Sequence, residues 1–286
     1  MATLQELLPL YTDQDSRFLV IDDVLMHYKD VGQGPVLVLI HGAFSSLHTY
    51  DAWAERLEKQ YRVIRLDLMG FGLTGPNKSN NYSIKNHIRV LKTLLTRLGV
   101  ESCSLVGSSF GGWVAWEFAY VYPELVQKIV LIDSAGFLEE EALPLPFRLA
   151  QSRLAPRMIK YIVRRSVLEI FVKQVFFDAQ KVTDAVVTRY FDLFSRDGNG
   201  EALIHLVGTS FKDHSHFLKK IHQPTLILWG AEDAWVPVEH AYQFRDLMPN
   251  SKLIVYPKVG HIPMEEIPQK SLMDLTDFLE KSVEQV

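Results

Sequence analysis

The fold is decided by the stretch Ser104-Leu105-Val106-Gly107-Ser108-Ser109-Phe110-Gly111-Gly112-Trp113. An apolar run typical of a buried strand directly precedes the motif Gly107-x-Ser109-x-Gly111. Apolar residues at helical spacing follow the motif. This pattern predicts a strand, a tight turn and a helix, with Ser109 at the turn as a candidate nucleophile. A residue held in such a strained turn needs small neighbours two positions away on either side. Gly107 and Gly111 meet that need, whereas Ser108 in the same role would place Val106 and Phe110 there.

The composition is that of a globular protein with a sizeable core. Of the 286 residues, 48% are hydrophobic and 22% are charged, which is the ordinary range for a soluble protein. This length allows one large domain that carries an insertion. The formal net charge is −4 and no basic run is present, so we expect no nucleic-acid partner. The single cysteine, Cys103, cannot form an internal disulfide, and its place in a predicted strand suits a small buried residue.

The N-terminal residues lack the basic start and the sustained apolar core of a signal peptide. No apolar run approaches the length of a membrane span. We therefore expect a cytoplasmic protein without stable membrane insertion. The sequence does not predict the oligomeric state.

Strand and helix patterns alternate through most of the chain. A hairpin is predicted from two short strands, and buried strands follow it. The predicted strands are 17–22, 24–29, 36–40, 61–67, 102–106, 126–132, 224–229 and 251–256. Helical spacing of apolar residues predicts helices at 50–59, 83–98, 239–247 and 272–283. The alternation predicts an α/β fold, in which helices cover both faces of a mostly parallel sheet.

The alternation stops between residues 137 and 217, where the apolar spacing is helical and no convincing strand is found. We interpret this segment as a helical cap inserted into a core formed by residues 1–136 and 218–286. It contains many basic residues, which we expect to lie on a solvated helix face rather than in an anionic substrate site. They include Arg148, Arg153, Arg157, Lys160, Arg164 and Arg165.

Polar residues follow several of the predicted strands, at the edge where open parallel sheets bind their ligands. They are His41, Asp67, Ser109, Asp133, Asp233 and His261. A serine hydroxyl needs a base to accept its proton, and the base needs an acid to fix its tautomer. The chain order Ser109, Asp233, His261 is the order of serine, acid and histidine in α/β-hydrolases.

The sequence resembles the capped members of the α/β-hydrolase fold superfamily from about residue 17 to the C-terminus. The matching motifs are His41-Gly42, Asp67-x-x-Gly70-x-Gly72, Gly107-x-Ser109-x-Gly111-Gly112, Gly230-x-x-Asp233 and Gly260-His261-x-Pro263. This resemblance implies an eight-stranded sheet, a catalytic triad of Ser109, His261 and Asp233, and no metal or organic cofactor. The backbone N–H of Phe110 is expected to form half of an oxyanion hole. The resemblance makes Ala43 the second donor, with Phe44 as the alternative.

Some roles stay open at this level. Asp133 is an alternative acid to Asp233, because some family members place the acid after the strand that follows the serine. His41 and Asp67 are interpreted as residues that shape loops. Three further histidines match no standard zinc spacing, so we expect them on the surface. They are His214, His216 and His222.

The cap and the loop from Phe44 to Trp53 are rich in large apolar residues, which favours an apolar small-molecule substrate. Phe44, Ser108 and Ile262 are the predicted pocket residues. The favoured activity is hydrolysis of a carboxylic ester through an acyl-enzyme. Cleavage of a C–C bond in a dienoate-like or diketone-like substrate is the alternative, although such hydrolases often carry Trp where this chain has Ile262. Other acyl-bond hydrolases, and a ligand receptor with slow or no turnover, are further alternatives.

Overall fold

A computed structural model describes residues 1–137, 164–209 and 211–280 of the chain. One sheet of eight strands runs through the described part, and helices pack against it. The strands are β1 (Ser16–Ile21), β2 (Val24–Val31), β3 (Val36–Ile40), β4 (Arg62–Leu66), β5 (Cys103–Ser108), β6 (Val126–Ile132), β7 (Thr225–Gly230) and β8 (Ser251–Tyr256). The helices are α1 (Leu4–Tyr11), α2 (Asp51–Leu57), α3 (Ile84–Arg97), α4 (Phe110–Val121), α5 (Arg165–Val175), α6 (Asp184–Phe194), α7 (Asn199–Val207), α8 (Glu239–Leu247), α9 (Pro263–Glu266) and α10 (Pro268–Glu280).

The strand order across the sheet is β1-β2-β4-β3-β5-β6-β7-β8. Strand β2 pairs antiparallel with both β1 and β4, and the pairs from β4 to β8 are all parallel. The predicted mostly parallel eight-stranded sheet is therefore confirmed. Because β3, β5, β6, β7 and β8 run in one direction, the residues that follow them meet at one edge of the sheet.

The central strands of the sheet are formed by continuous runs of apolar residues. Every residue of β5 and β7 is buried, as a strand covered on both faces requires. The outer strand β8 is less buried along most of its length. Cys103 is buried at the start of β5, as expected. The core therefore lies around the strands that carry the candidate site.

Helices α5, α6 and α7, which we call the cap helices, lie between β6 and β7 in the chain. They agree with the helical pattern of this region. The boundaries at residues 137 and 217 remain a prediction, because residues 138–163 and 210 lie outside the described part. Most of the basic residues named in the sequence analysis also lie outside the described part. Arg165 pairs with the exposed Asp184.

Helix α1 was not predicted. Its N-terminus is fixed by a capping box, in which Thr3 and Glu6 each bind the other's backbone N–H. The Tyr11 hydroxyl donates to Asp192 on α6 at 2.7 Å, so the N-terminal segment packs against a cap helix. Across the described ranges, we find no helix with the length and apolar character needed to span a bilayer.

Candidate active site

Ser109 occupies the sharp turn between β5 and α4. Its backbone has φ 52° and ψ −120°, a conformation that residues other than glycine rarely adopt. A Cβ on Gly107 would lie 2.3 Å from the carbonyl oxygen of Gly111, and a Cβ on Gly111 would lie 2.3 Å from that of Ile40. Only glycine fits at either position. The turn thus places Ser109 where the sequence predicted it, and Ser108 is the last residue of β5.

His261 and Asp233 come together from the loops after β8 and β7. The distance from His261 Nδ1 to Asp233 Oδ2 is 2.7 Å. The other Asp233 oxygen accepts the backbone N–H groups of Trp235 at 2.7 Å and Val236 at 3.1 Å. A carboxylate only accepts hydrogen bonds, so Nδ1 carries the proton and Nε2 is left as the basic nitrogen. Both His261 and Ser109 line one cavity.

The loop after β3 runs close against Ser109. A Cβ on Gly42 would lie 2.8 Å from the Ser109 Cβ and 3.5 Å from its Oγ. Among the described residues, neither the N–H of Ala43 nor that of Phe110 donates to another protein group. Phe110 is also the first residue of α4, and a helix N-terminus attracts negative charge. The two predicted oxyanion donors therefore lie beside Ser109.

Asp133, the alternative acid, is fully buried after β6. One of its oxygens accepts the N–H of Gly230 at 2.9 Å. Burial and the adjacent negative charge of Asp233 raise the pKa of Asp133 well above its usual range. In the described parts of the chain, Asp133, Asp233 and His261 are the one group of carboxylates and histidines compact enough to hold a metal ion. Within this group, Asp233 is the partner that hydrogen-bonds His261.

Asp67 and His41 shape the loops next to the site. Asp67 accepts the backbone N–H groups of Leu47 and Leu73, each at 2.7 Å, and its Oδ2 lies 2.8 Å from His27 Nδ1. Burial acts to raise the pKa of Asp67, but hydrogen bonding to His27 and the nearby charges hold it below its usual range. His41 Nε2 accepts the N–H of Leu68 at 2.9 Å. Neither Asp67 nor His41 lines the cavity, which agrees with the loop-shaping interpretation.

The cavity lining is mainly apolar and is shared by the core and the cap helices. The predicted pocket residues Phe44, Ser108 and Ile262 all line it. Sequence reasoning missed Trp235, whose ring lies 5.6 Å from that of His261 between centroids. Its place two residues after Asp233, at the ligand-binding edge of the sheet, was the available signal. Also missed were Tyr190 on α6 and the inner face of α5, formed by Leu168, Phe171, Val172 and Val175.

The C-terminal end of α5 is hydrogen-bonded to the loop that carries His261. The N–H of His261 donates to the carbonyl of Val175 at 2.8 Å. The Glu266 carboxylate accepts the N–H groups of Gly260 at 2.7 Å, Asp178 at 2.7 Å and Phe177 at 3.2 Å. The candidate base therefore lies in the same segment as Glu266, whose carboxylate binds the residues that follow α5.

The three histidines that match no standard zinc spacing do not line the cavity. His216 and His222 are exposed, as expected. His214 is only partly exposed, and its Nδ1 lies 3.0 Å from a carboxylate oxygen of Glu117. Its role is thus a contact between α4 and the segment that follows α7.

The chain matches the family model of the alpha/beta hydrolase fold over residues 35–268. It belongs to the α/β-hydrolase family. It is 29% identical over 272 residues to a 2-hydroxy-6-oxononadienedioate/2-hydroxy-6-oxononatrienedioate hydrolase of Paraburkholderia phymatum, covering 90% of this chain and 91% of the relative. It is also 29% identical over 275 residues to a 2-hydroxy-6-oxo-6-(2'-aminophenyl)hexa-2,4-dienoic acid hydrolase of Metapseudomonas resinovorans, covering 93% and 91%.

Among solved structures, a candidate lipase of Acinetobacter baumannii superposes with a TM-score of 0.81 at 25% identity, covering 99% of this chain and 97% of the other. The family and fold predicted from the sequence are confirmed by these matches. The substrate names of the two curated relatives agree better with the C–C alternative than with the predicted ester, which they do not contradict.

Proposed function

We propose that this protein is a serine hydrolase in which Ser109 is the nucleophile, His261 the base and Asp233 the acid that orients it. The observation that carries the proposal is the convergence of the strained Ser109 turn and the His261–Asp233 pair at 2.7 Å on one cavity. His261 Nε2 accepts the serine proton as Oγ attacks a carbonyl carbon, and Asp233 stays ionised beside the imidazolium.

The amides of Phe110 and Ala43 bind the oxyanion that forms in this attack. Each such donor contributes on the order of 3 kcal/mol to lowering the barrier. The leaving group departs with the proton held by His261, which leaves an acyl group on Ser109. Water activated by the same nitrogen then releases the acid and restores the serine.

For the substrate, we propose the ester of an apolar acyl group. Among the described residues, those that line the cavity include no lysine or arginine, and α5 contributes an apolar face. A substrate anion bound in an apolar pocket would need a cation or several donors. The relatives above act on compounds named as carboxylic acids, and those names favour C–C hydrolysis as the second candidate.

Turnover of two substrate sets separates the candidates. Purified protein is assayed with p-nitrophenyl esters of increasing acyl length and with a 2-hydroxy-6-oxo-dienoate. Faster turnover of the esters supports the ester proposal, and faster turnover of the dienoate supports the second candidate. Tight binding without turnover of either would indicate a receptor instead.

Two variants test the roles of the residues. Ser109→Ala is expected to reduce kcat by about 10⁶-fold, as in other serine hydrolases that lose the nucleophile. Asp233→Asn is expected to reduce it on the order of 10⁴-fold because the histidine tautomer is lost. Asp133→Asn is the matched control and should keep most of the activity. Full activity of Ser109→Ala would refute the proposal. A larger loss of activity in Asp133→Asn than in Asp233→Asn would assign the role of the acid to Asp133.

A further inference from the structure

Glu265 carries a buried carboxylate that the proposed mechanism does not use. It lies on α9, four residues after His261, and its side chain is 9% exposed. Its Oε1 accepts the hydroxyl of Thr49 at 2.6 Å and that of Tyr190 at 2.8 Å. Its Oε2 accepts the Arg189 guanidinium at 2.5 Å. Three donors thus offset the cost of burying this charge.

These donors come from two segments that both contribute residues to the cavity lining. Thr49 lies in the oxyanion segment, which we define as residues 42–50, and Arg189 and Tyr190 lie on α6. Arg189 also donates to the carbonyl of His48 at 3.1 Å. The Glu265 carboxylate therefore adds a buried polar link between the loop that supplies the Ala43 amide and a cap helix.

Tyr190 keeps its proton in this setting. Burial and the negative charge of Glu265 raise the pKa of the Tyr190 hydroxyl above its ordinary range. The hydroxyl therefore remains a donor to Glu265 at neutral pH. Tyr190 lines the cavity, whereas Glu265 does not, so any effect of Glu265 on the reaction must pass through its partners.

We propose that Glu265 is a positioning residue that holds the oxyanion segment against α6 and so fixes the Ala43 amide relative to Ser109. The kinetic consequence rests on the proposed function. An oxyanion donor acts only within hydrogen-bond reach of the developing charge, and small displacements in an active site reduce rates severely.

The test uses substitutions that keep the side-chain shape. Glu265→Gln keeps one carbonyl oxygen as an acceptor. Its amide NH2 group is a donor, and it would face the guanidinium of Arg189, which is also a donor. Tyr190→Phe removes a single hydroxyl and can be studied even if Glu265→Gln does not fold. Glu169→Gln is the control, because it removes the same charge from an exposed pair with Lys173 on α5, where the two atoms lie 2.7 Å apart.

The first measurement is hydrogen exchange of the free protein, which requires no activity. Glu265→Gln is expected to speed exchange in the oxyanion segment and in α6, and Glu169→Gln is expected to leave both unchanged. The second is steady-state kinetics with p-nitrophenyl acetate. For Glu265→Gln we expect kcat to fall about tenfold or more while KM changes little, because an oxyanion donor acts on the charge of the transition state and not on the bound ester. Tyr190→Phe is expected to add no further loss to that of Glu265→Gln.

Unchanged exchange in Glu265→Gln overturns the proposal whether or not the protein is active. Faster exchange with an unchanged kcat overturns the positioning role. Additive losses in the double variant would mean that Tyr190 acts independently of Glu265, and would overturn the proposed route. A wild-type protein that turns over no acyl substrate refutes the proposed function alone, since the exchange measurement still decides whether Glu265 joins the two segments.

Discussion

Replacing Asp133 with asparagine tests whether this buried carboxyl is neutral beside Asp233. Asp133 is fully buried, and burial together with the charge of Asp233 raises its pKa. Asparagine keeps the shape and can still accept the N–H of Gly230, which is 2.9 Å from Asp133 Oδ1. At pH values where the folded protein holds Asp133 protonated, the native states of both proteins carry the same charge.

The expected effect on stability follows from proton binding. Above the ordinary pKa of 3.8, the unfolded wild-type chain releases the Asp133 proton while the folded protein retains it. The folded state then binds more protons, so this group's contribution to the unfolding free energy falls as the pH rises, by about 1.4 kcal/mol per pH unit until the native carboxyl ionises. Asp133→Asn lacks this dependence. The unfolding free energy of the variant minus that of the wild type should be near zero in acid. Toward neutral pH this difference should grow in favour of the variant with that slope.

Urea unfolding of both proteins at a series of pH values measures this difference. Asp246→Asn is a suitable control, because Asp246 is exposed, with 64% of its side chain accessible, and its substitution should give a nearly constant difference. A constant difference for Asp133→Asn as well would show that Asp133 is ionised in the native state, and would refute the reasoning.

Gly111→Ala should lower stability by at least about 2 kcal/mol, because its Cβ would lie 2.3 Å from the Ile40 carbonyl oxygen and 2.4 Å from that of His41; an unchanged melting temperature would contradict the turn geometry. Asp67→Asn should cost about 3 to 5 kcal/mol at neutral pH, since it removes a buried charge that hydrogen-bonds several groups. That loss should shrink as the pH falls below 3.8, because the depressed pKa of Asp67 stabilises the protein only while the unfolded carboxyl is ionised; urea unfolding in acid checks the sign. Phe171→Ala should shift the preferred ester toward longer acyl chains by enlarging the cavity, and the exposed neighbour Ile170→Ala should not; identical chain-length profiles would place the acyl group elsewhere.

Short-range patterns were sufficient for the parts of the fold that depend on local chemistry. The turn at Ser109 was readable because only glycine fits at positions 107 and 111. The buried parallel strands were readable because strands such as β7, covered on both faces, are apolar throughout. The candidate Asp233 and His261 followed from their positions after β7 and β8, where a parallel sheet collects its ligand-binding groups.

Other features depend on contacts between distant segments. Helix α1 has only eight residues with Pro9 inside it, so its apolar spacing is a weak signal, although its capping box of Thr3 and Glu6 could have indicated a start. The joining of Glu265 to Thr49 spans 216 positions, and no local pattern predicts it. The substrate depends on the cavity, which α5, α6 and the core form together, and this explains why the sequence predicted the attack on the bond more firmly than the identity of that bond.

The backbone conformation of Ser109 lowers stability at the position of the proposed nucleophile. A residue other than glycine in this conformation costs of order 1 to 3 kcal/mol, and Ser109 adopts it with φ 52° and ψ −120°. A glycine at position 109 would relieve that strain and would also lack the hydroxyl. Under the proposed function, such a variant would gain stability and lose the nucleophile, so stability and activity make opposite demands on this position.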